Sequence, residues 1–230
     1  MSPPFRLDRR RDRGLFAGSG HPLRSVAVSE DHYFTAQPAS DKARREITVT
    51  LAGREVTVET AAGVFSAAHI DLGTTVLLRE VPKPPPGPLL DLGCGWGPIA
   101  LTAAMLEPTG HVTAIDTNER ALDLLRRNAT RLGASIPLAP IVAVTPDLVP
   151  AESTFDAVWS NPPIRVGKEA LHALLALWLP RLNSGGEAWL VVQKNLGADS
   201  LAPWIADQGW GDVDRVATSK GFRVLRLVRR

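Results

Sequence analysis

The stretch that decides the fold is Asp-Leu-Gly-Cys-Gly-Trp-Gly-Pro, residues 91–98. It stands between an apolar run and a segment with helical periodicity that begins at Pro98. Glycines at alternate positions let the backbone turn sharply and approach a ligand where any Cβ would collide. The spacing differs from the Gly-x-Gly-x-x-Gly typical of pyrophosphate binding, and the carboxylate of Asp91 would repel a phosphate. The stretch therefore predicts a strand, a loop and a helix that together bind a cationic ligand.

Strand and helix patterns alternate on the carboxyl side of this loop. We predict strands at residues 89–92, 111–115, 141–144, 155–159 and 187–193, and helices at 98–106, 119–132 and 169–182. Such alternation is typical of a parallel sheet with helices on both faces. Two more strands, 212–218 and 222–228, are joined by a turn that contains glycine, and this hairpin requires one antiparallel strand. The predicted fold class is α/β, with a seven-stranded mixed sheet.

The amino-terminal third of the chain has a different character. Residues 46–60 form two β-branched segments around Ala52-Gly53, which predicts a β-hairpin extension. A short helix is predicted at 71–78, and the proline run at 81–88 is interpreted as a stiff connection into the next strand. Residues 1–40 are predicted to be an Arg-rich, partly flexible arm, and residues 41–230 one catalytic domain.

Composition limits the function classes. The chain has 230 residues, 44% hydrophobic and 22% charged, and no apolar run long enough to span a membrane or to serve as a secretory signal. We therefore expect a cytoplasmic protein. The single cysteine, Cys94, excludes an internal disulfide, and the histidines show no metal-ligand spacing, so we expect no metal. Six arginines between residues 6 and 24 are either phosphate contacts or a solvated surface run.

Carboxylates stand at the ends of two further predicted strands. Asp116 follows the second strand, about 20 residues beyond the glycine loop, where it can accept both ribose hydroxyls of an adenosine. Asp147 follows the third strand and is placed either to meet an adenine amine or to form a turn. Together with the loop, Asp116 indicates a ligand that combines a cationic group with an adenosine.

The second motif is Ser-Asn-Pro-Pro-Ile, residues 160–164, directly after a predicted strand. Its prolines fix the backbone, so that the side-chain carbonyl of Asn161 and the main-chain carbonyl of Pro162 can be aimed without a loss of entropy on binding. Two acceptors suit a planar NH2 group, because accepting its hydrogens pulls the nitrogen toward sp3 geometry and points its lone pair at an electrophile. The motif therefore indicates methylation of an amine or amide nitrogen.

These two motifs resemble those of the class I methyltransferases, which use S-adenosylmethionine and carry a Rossmann-like sheet with an antiparallel carboxyl-terminal strand. More narrowly, the chain resembles the short, single-domain form of the small-subunit (16S) ribosomal RNA guanine-N2 methyltransferases. The resemblance rests on Gly-Val-Phe-Ser at 63–66, Ile-Asp-x-Gly-Thr at 70–74, His-Tyr-Phe at 32–34, and Asn-Pro-Pro-Ile-Arg-x-Gly-Lys at 161–168. It runs from about Asp31 to Gly221.

The resemblance implies S-adenosylmethionine as the methyl donor and a role for each residue that matches the family motifs. The implied cofactor residues are Phe65, Thr74, Asp91, Gly93, Cys94, Gly95, Asp116, Thr117, Asp147 and Asn161. The residues implied at the target amine are Asn161, Pro162, Pro163 and Ile164. Ile164 departs from the family pattern, because an aromatic residue that stacks on a flipped base is common there.

Three cations near the strand ends, Arg165, Lys168 and Lys194, are predicted either to contact RNA phosphates or to face solvent. The predicted partner is ribosomal RNA or the small ribosomal subunit. Two other functions remain open. A glutamine amide in a protein would suit Asn-Pro-Pro equally, and a non-catalytic assembly factor could keep the fold, although the intact Asp91, Asp116 and Asn161 argue against that.

Overall fold

The structure is a computed structural model, and it describes residues 44–163 and 166–230. The predicted Arg-rich arm at 1–40, as well as Ile164 and Arg165, lies outside the described residues. No helix in the described ranges is long and apolar enough to cross a membrane.

The described part begins with the predicted hairpin, in which strand β1 (Arg44–Leu51) pairs with strand β2 (Arg54–Ala61) in antiparallel register. The two turn residues, Ala52 and Gly53, have φ values of 49° and 74°. Two positive φ values in succession match the right-handed twist of paired strands, and glycine adopts them at little cost. The hairpin is a two-stranded sheet, separate from the larger one.

The described residues also form a seven-stranded sheet with the spatial order β5-β4-β3-β6-β7-β9-β8. Its strands are β3 (Pro88–Leu92), β4 (His111–Ile115), β5 (Ile141–Val144), β6 (Phe155–Ser160), β7 (Leu182–Gln193), β8 (Gly211–Ser219) and β9 (Phe222–Arg229). All run in the same direction except β9, which is antiparallel to both of its neighbours. The predicted mixed sheet with one antiparallel strand in a carboxyl-terminal hairpin is confirmed.

Five α-helices lie within the described ranges and cover both faces of the sheet. They are α1 (Leu72–Glu80), α2 (Pro98–Leu106), α3 (Glu119–Gly133), α4 (Lys168–Trp178) and α5 (Ala198–Asp207). Side chains of α1, α2, α3 and the hairpin share one apolar cluster, and those of α4 and α5 share the other. Consecutive residues of β3 divide accordingly, because Leu89 packs in the first cluster and Leu90 in the second.

Two predicted boundaries in the second half of the chain are wrong, and one helix was not predicted. The helix predicted at 169–182 ends at Trp178, because Pro180 lacks the N–H that would continue it, and Leu179–Arg181 form a 3-10 turn. Leu182 then begins β7, five residues before the predicted strand. Helix α5 was not predicted. Its buried residues, Ala198, Leu201 and Ile205, follow helical spacing, but Pro203 inside the segment argues against a helix.

Asn128 on α3 joins the hairpin to the glycine loop. Its Oδ1 accepts the N–H of Glu59 at 2.7 Å, and its Nδ2 donates to the carbonyls of Glu59 at 3.0 Å and Trp96 at 3.3 Å. The side chain has no exposed surface. A buried amide with three backbone partners therefore connects α3, β2 and the loop after β3.

We expect Asn128→Leu to lower the free energy of unfolding by about 3 kcal/mol, because three backbone groups lose their partner. Urea denaturation measures the change. The control is Arg127→Ala on the same helix, where an exposed ion pair with Asp123 contributes less than about 1 kcal/mol. Equal losses in the two variants would contradict the role assigned to Asn128.

Candidate active site

A cleft opens where β3 and β6 end. Its walls come from the loop after β3, the residue after β6, the first turn of α1 and the turn after β2. The structure brings together at this cleft six of the predicted site residues, namely Phe65, Thr74, Gly93, Cys94, Gly95 and Asn161. The carboxyl edge of a parallel sheet is where ligands bind in folds of this kind.

The glycine loop is held against the neighbouring strand by its backbone. The N–H groups of Gly93 and Cys94 donate to the carbonyl of Ile115, at 2.9 and 3.0 Å. Gly95 has a φ of 55°, and a Cβ placed there would meet no atom within 4 Å. The loop therefore presents bare backbone toward open space, as a close-fitting ligand requires.

The carboxylate of Asp116, which follows β4, is held by two backbone N–H groups. Its Oδ2 accepts the N–H of Gly95 and its Oδ1 accepts that of Asn118, each at 2.9 Å. Burial raises the pKa of Asp116, and these backbone hydrogen bonds oppose the rise. Each carboxylate oxygen keeps a further lone pair, so Asp116 can still accept hydroxyl groups from a ligand.

Asp91 lies beneath the loop and is fully buried. Helix α2 begins after Gly97, which has no side chain to cap it, and Oδ2 of Asp91 accepts the N–H of Ala100 at 2.9 Å instead. Its Oδ1 is buried without a hydrogen-bond partner among the described residues. Burial, to which the charge of Asp116 adds, raises the pKa of Asp91 to about 8 despite the hydrogen bond from Ala100. Asp91 thus caps α2 through one carboxyl oxygen, while the other is left without a described partner.

Asn161 stands at the mouth of the cleft, directly after β6. The hydroxyl of the preceding Ser160 donates to the carbonyl of Leu92 at 2.6 Å and so ties the end of β6 to the end of β3. The Nδ2 of Asn161 donates to Oδ2 of Asp71 at 2.8 Å and to Oγ1 of Thr74 at 3.0 Å. Its Oδ1 has no partner among the described residues, which leaves one acceptor available beside the glycine loop.

The turn after β2 forms the opposite wall. Phe65 lies at its tip with half of its surface exposed, and the carbonyl of Ser66 accepts the indole N–H of Trp96 at 3.2 Å. Asn118 and Arg120 donate to carbonyls at the start of this turn. The hairpin itself packs on α3, and only the turn that follows it lines the cleft.

The remaining predicted residues lie around the cleft. Asp91 lies beneath the cleft, and Asp116 is hydrogen-bonded to Gly95, which lines it. Thr117 and Asp147 are exposed at the ends of β4 and β5.

In the proline pair, Pro162 is buried, whereas Pro163 is exposed and lies beside Gly93, with 3.8 Å between its Cδ and an ideal Cβ there. The contacts of these residues with a ligand remain predictions.

The predicted RNA contacts Lys168 and Lys194 are both exposed. Lys168 is the first residue of α4, and Lys194 follows β7, where its backbone N–H donates to the carbonyl of Gly221 at 2.8 Å. Neither ammonium group has an ion-pair partner in the described ranges. Within those ranges, His, Cys, Asp and Glu side chains also form no group of three that could hold a metal ion.

Four further residues line the cleft, Ser66, Asp71, Pro98 and Ile99, and none of them was predicted as a site residue. Trp96, which we expect to help cover the cofactor from inside the glycine loop, also lines the cleft. Asp71 had a recognisable signal, because an aspartate directly before a helix is a preferred N-cap. Its Oδ2 accepts the N–H groups of Gly73 and Thr74 in the first turn of α1. The bond to Asn161, 90 residues further along the chain, had no signal in the sequence.

Fold and cleft define a Rossmann-like methyltransferase. Residues 55–226 match the family described as methyltransferase small domain, and the chain belongs to this family. The predicted class of enzyme and its cofactor, S-adenosylmethionine, are confirmed at the level of family and fold.

Individual relatives support the same placement. YbxB of Bacillus subtilis is 31% identical over 200 residues, which cover 85% of this chain and 97% of that protein. Ribosomal RNA small subunit methyltransferase C of Acinetobacter baumannii is 30% identical over 77% of this chain and 52% of its own length. The chain thus spans about half the length of the methyltransferase C relatives that it matches. The T. thermophilus 16S rRNA N2 methyltransferase RsmC, solved with AdoMet and guanosine, shares the fold, with a TM-score of 0.69 and 22% identity over 82% of this chain and 51% of that one.

Gly95→Ala should lower the affinity for S-adenosylmethionine at least tenfold, because the new Cβ fills the open space beside the loop. The matched control is Gly53→Ala in the hairpin turn, which also has a positive φ and no neighbour within 4 Å. Both variants should lose about 1 kcal/mol of stability through backbone strain, and only the first should lose affinity in calorimetric titration. Equal affinities would show that the cofactor does not approach Gly95.

The raised pKa of Asp91 predicts a pH dependence of stability in the cofactor-free protein. Between pH 3.8 and about 8, the folded protein keeps a proton on Asp91 that the unfolded chain has lost. The free energy of unfolding should therefore fall as pH rises through this range, by roughly 1.4 kcal/mol per pH unit from this group. Urea titrations from pH 5 to 8 should show a shallower fall for Asp91→Asn. An unchanged slope would refute the assignment to Asp91.

Proposed function

We propose that this protein transfers a methyl group from S-adenosylmethionine to the exocyclic N2 amine of a guanine in small-subunit ribosomal RNA. The observation that carries the proposal is the arrangement of Asn161, whose NH2 group is engaged while its oxygen is available at the mouth of the cleft. The proposal places the enzyme in the cytoplasm, with ribosomal RNA or the small ribosomal subunit as its partner.

The residues present fit the cofactor. The bare backbone at Gly93 and Gly95 gives room for a close approach, and Asp116 has lone pairs left for two ribose hydroxyls. The buried, unpartnered oxygen of Asp91 favours a cationic ligand above it, because a nearby positive charge stabilises the ionised carboxylate. Thr117 and Asp147 are proposed to border the adenosine. When bound, the cofactor supplies an electrophilic methyl group on a sulfonium.

The target amine is held by acceptors rather than by a base. Oδ1 of Asn161 accepts one N–H of the NH2 group, and the carbonyl of Pro162 accepts the other. Withdrawing these hydrogens from the plane of the base localises the nitrogen lone pair and directs it toward the methyl group. The cofactor would supply the methyl group to this nitrogen and leave as a neutral thioether, and the amine would release one proton to solvent.

A ribosomal substrate is supported by the relatives and by charge. The half-length matches are named as small-subunit methyltransferases, and the structural neighbour of the same fold holds guanosine. Lys168 and Lys194 are exposed cations beside strand ends and are proposed, with Arg165, to contact phosphates. Ile164, which stands where an aromatic residue is common in the family, is proposed to meet the base through its apolar side chain.

We further propose that residues 41–230 work as one catalytic domain across the proline run. The support is the bond network of Asn161, since Asp71 and Thr74 precede the prolines and Asn161 follows them. A domain boundary at residues 81–88 would separate the two halves of this network.

The test is transfer of labelled methyl to undermethylated small ribosomal subunits, followed by digestion and mass spectrometry of the nucleosides. We expect N2-methylguanosine. Asn161→Ala should lower kcat at least about 100-fold, because it removes a transition-state acceptor, with the cofactor Kd within a few-fold of wild type. The control, Gln208→Ala, removes an exposed amide at the end of α5 and should retain full activity.

Other outcomes lead to other functions. Label in a glutamine side chain of a ribosomal or other protein would replace RNA with a protein amide as the substrate. Cofactor binding without any methylated product would favour a non-catalytic assembly factor. Failure to bind S-adenosylmethionine would refute the proposal altogether.

A further inference from the structure

We propose that Asp71 and Thr74 are positioning residues that hold the Asn161 amide in one orientation, with its oxygen toward the acceptor amine. The inference rests on the proposed function and assigns a role to Asp71, which belongs to neither of the two main motifs. It also changes the role of Thr74 from shaping the cofactor pocket to orienting the residue that meets the substrate.

The hydrogen bonds of Asp71 decide which end of the amide faces it. Its Oδ2 already accepts the backbone N–H groups of Gly73 at 2.7 Å and Thr74 at 3.2 Å. An oxygen that accepts two N–H groups meets a third partner favourably only if that partner is also a donor. The atom of Asn161 at 2.8 Å from it is therefore the amide nitrogen.

Thr74 completes the restraint. An amide NH2 group has two hydrogens, and Asn161 directs one to Asp71 and the other to Oγ1 of Thr74 at 3.0 Å. Thr74 is almost fully buried, at 3% exposure, so the packing around it restricts the position of its hydroxyl. Rotating the amide by half a turn would break the bond to Asp71 and set the amide oxygen against that carboxylate, although the Thr74 hydroxyl can pair with either end of the amide. The orientation with Oδ1 available is thus the favourable one.

The two residues can act in this way because the start of α1 is itself fixed. Asp71 is the N-cap of the helix, and Gly73 packs so closely on β9 that an added Cβ would lie 2.8 Å from the Phe222 ring. Donation of both hydrogens to oxygen acceptors also polarises the amide and strengthens Oδ1 as an acceptor. Asp71 and Thr74 therefore affect both the direction and the strength of the contact to the amine.

Two pairs of variants test the inference. Thr74→Val keeps the shape but removes the hydroxyl, whereas Thr74→Ser keeps the hydroxyl. Asp71→Ser retains a side chain able to cap α1 but is too short to reach Asn161. We expect kcat to fall about 10- to 100-fold in Thr74→Val and Asp71→Ser, while Thr74→Ser recovers most of the activity and the cofactor Kd stays within about threefold of wild type.

A second readout is independent of turnover. In the cofactor-free protein, the side-chain NH2 resonances of Asn161, assigned by their loss in Asn161→Ala, should exchange slowly with solvent. Exchange should be faster by about tenfold or more in Thr74→Val and Asp71→Ser but not in Thr74→Ser. Circular dichroism checks that α1 and the fold are retained in each variant.

The outcomes separate this inference from the proposed function. Fast NH2 exchange in the wild type, or equal kcat in Thr74→Val and Thr74→Ser, would overturn the positioning role. A loss of cofactor affinity that matches the loss of kcat would return Thr74 to the cofactor pocket and would also overturn it. If no acceptor is methylated by the wild type, the proposed function fails, and the exchange measurement still decides how Asn161 is held.

Discussion

The parallel pairing of β3 with β6 is the constraint on which the site depends. It sets Asp91 beside Trp159 in register, so that the glycine loop and the Asn-Pro-Pro segment leave the sheet at the same edge. The hydroxyl of Ser160 then bonds to the carbonyl of Leu92 across 68 residues of sequence. In the proposed function neither motif forms a methyl-transfer site alone, because one is assigned to the donor and the other to the acceptor.

The site combines rigid supports with unsatisfied groups. The side chains of Asn128, Asn118 and Trp96 donate hydrogen bonds to backbone carbonyls and so hold the loops in place. Because these N–H groups have partners, burying them costs little free energy. Asp91 is different, since its buried Oδ1 has no partner in the described ranges and its pKa is raised to about 8. Stability is thereby reduced at a position where a cationic ligand could restore it, as is common at functional sites.

Sequence patterns predicted most of the fold because strands, helices and hairpin turns here follow local rules. Helix α2 was predicted with the bounds observed, and the mixed sheet is confirmed. Errors arose where tertiary contacts override local preference, as in α5, whose apolar face stabilises a helix despite Pro203. The hydrogen bond between Asp71 and Asn161 could not be predicted at all. It depends on how α1, which precedes the proline run, packs on the sheet that follows it.

A crystal structure with S-adenosylhomocysteine and guanosine bound together would decide whether the two motifs form one site. We expect the ribose hydroxyls of S-adenosylhomocysteine on Asp116, its backbone contacts at Gly93 and Gly95, and the guanosine N2 within hydrogen-bond distance of Asn161 Oδ1. A guanosine that binds away from Asn161, or an adenosine that binds away from the glycine loop, would contradict the claim that the two motifs form one site.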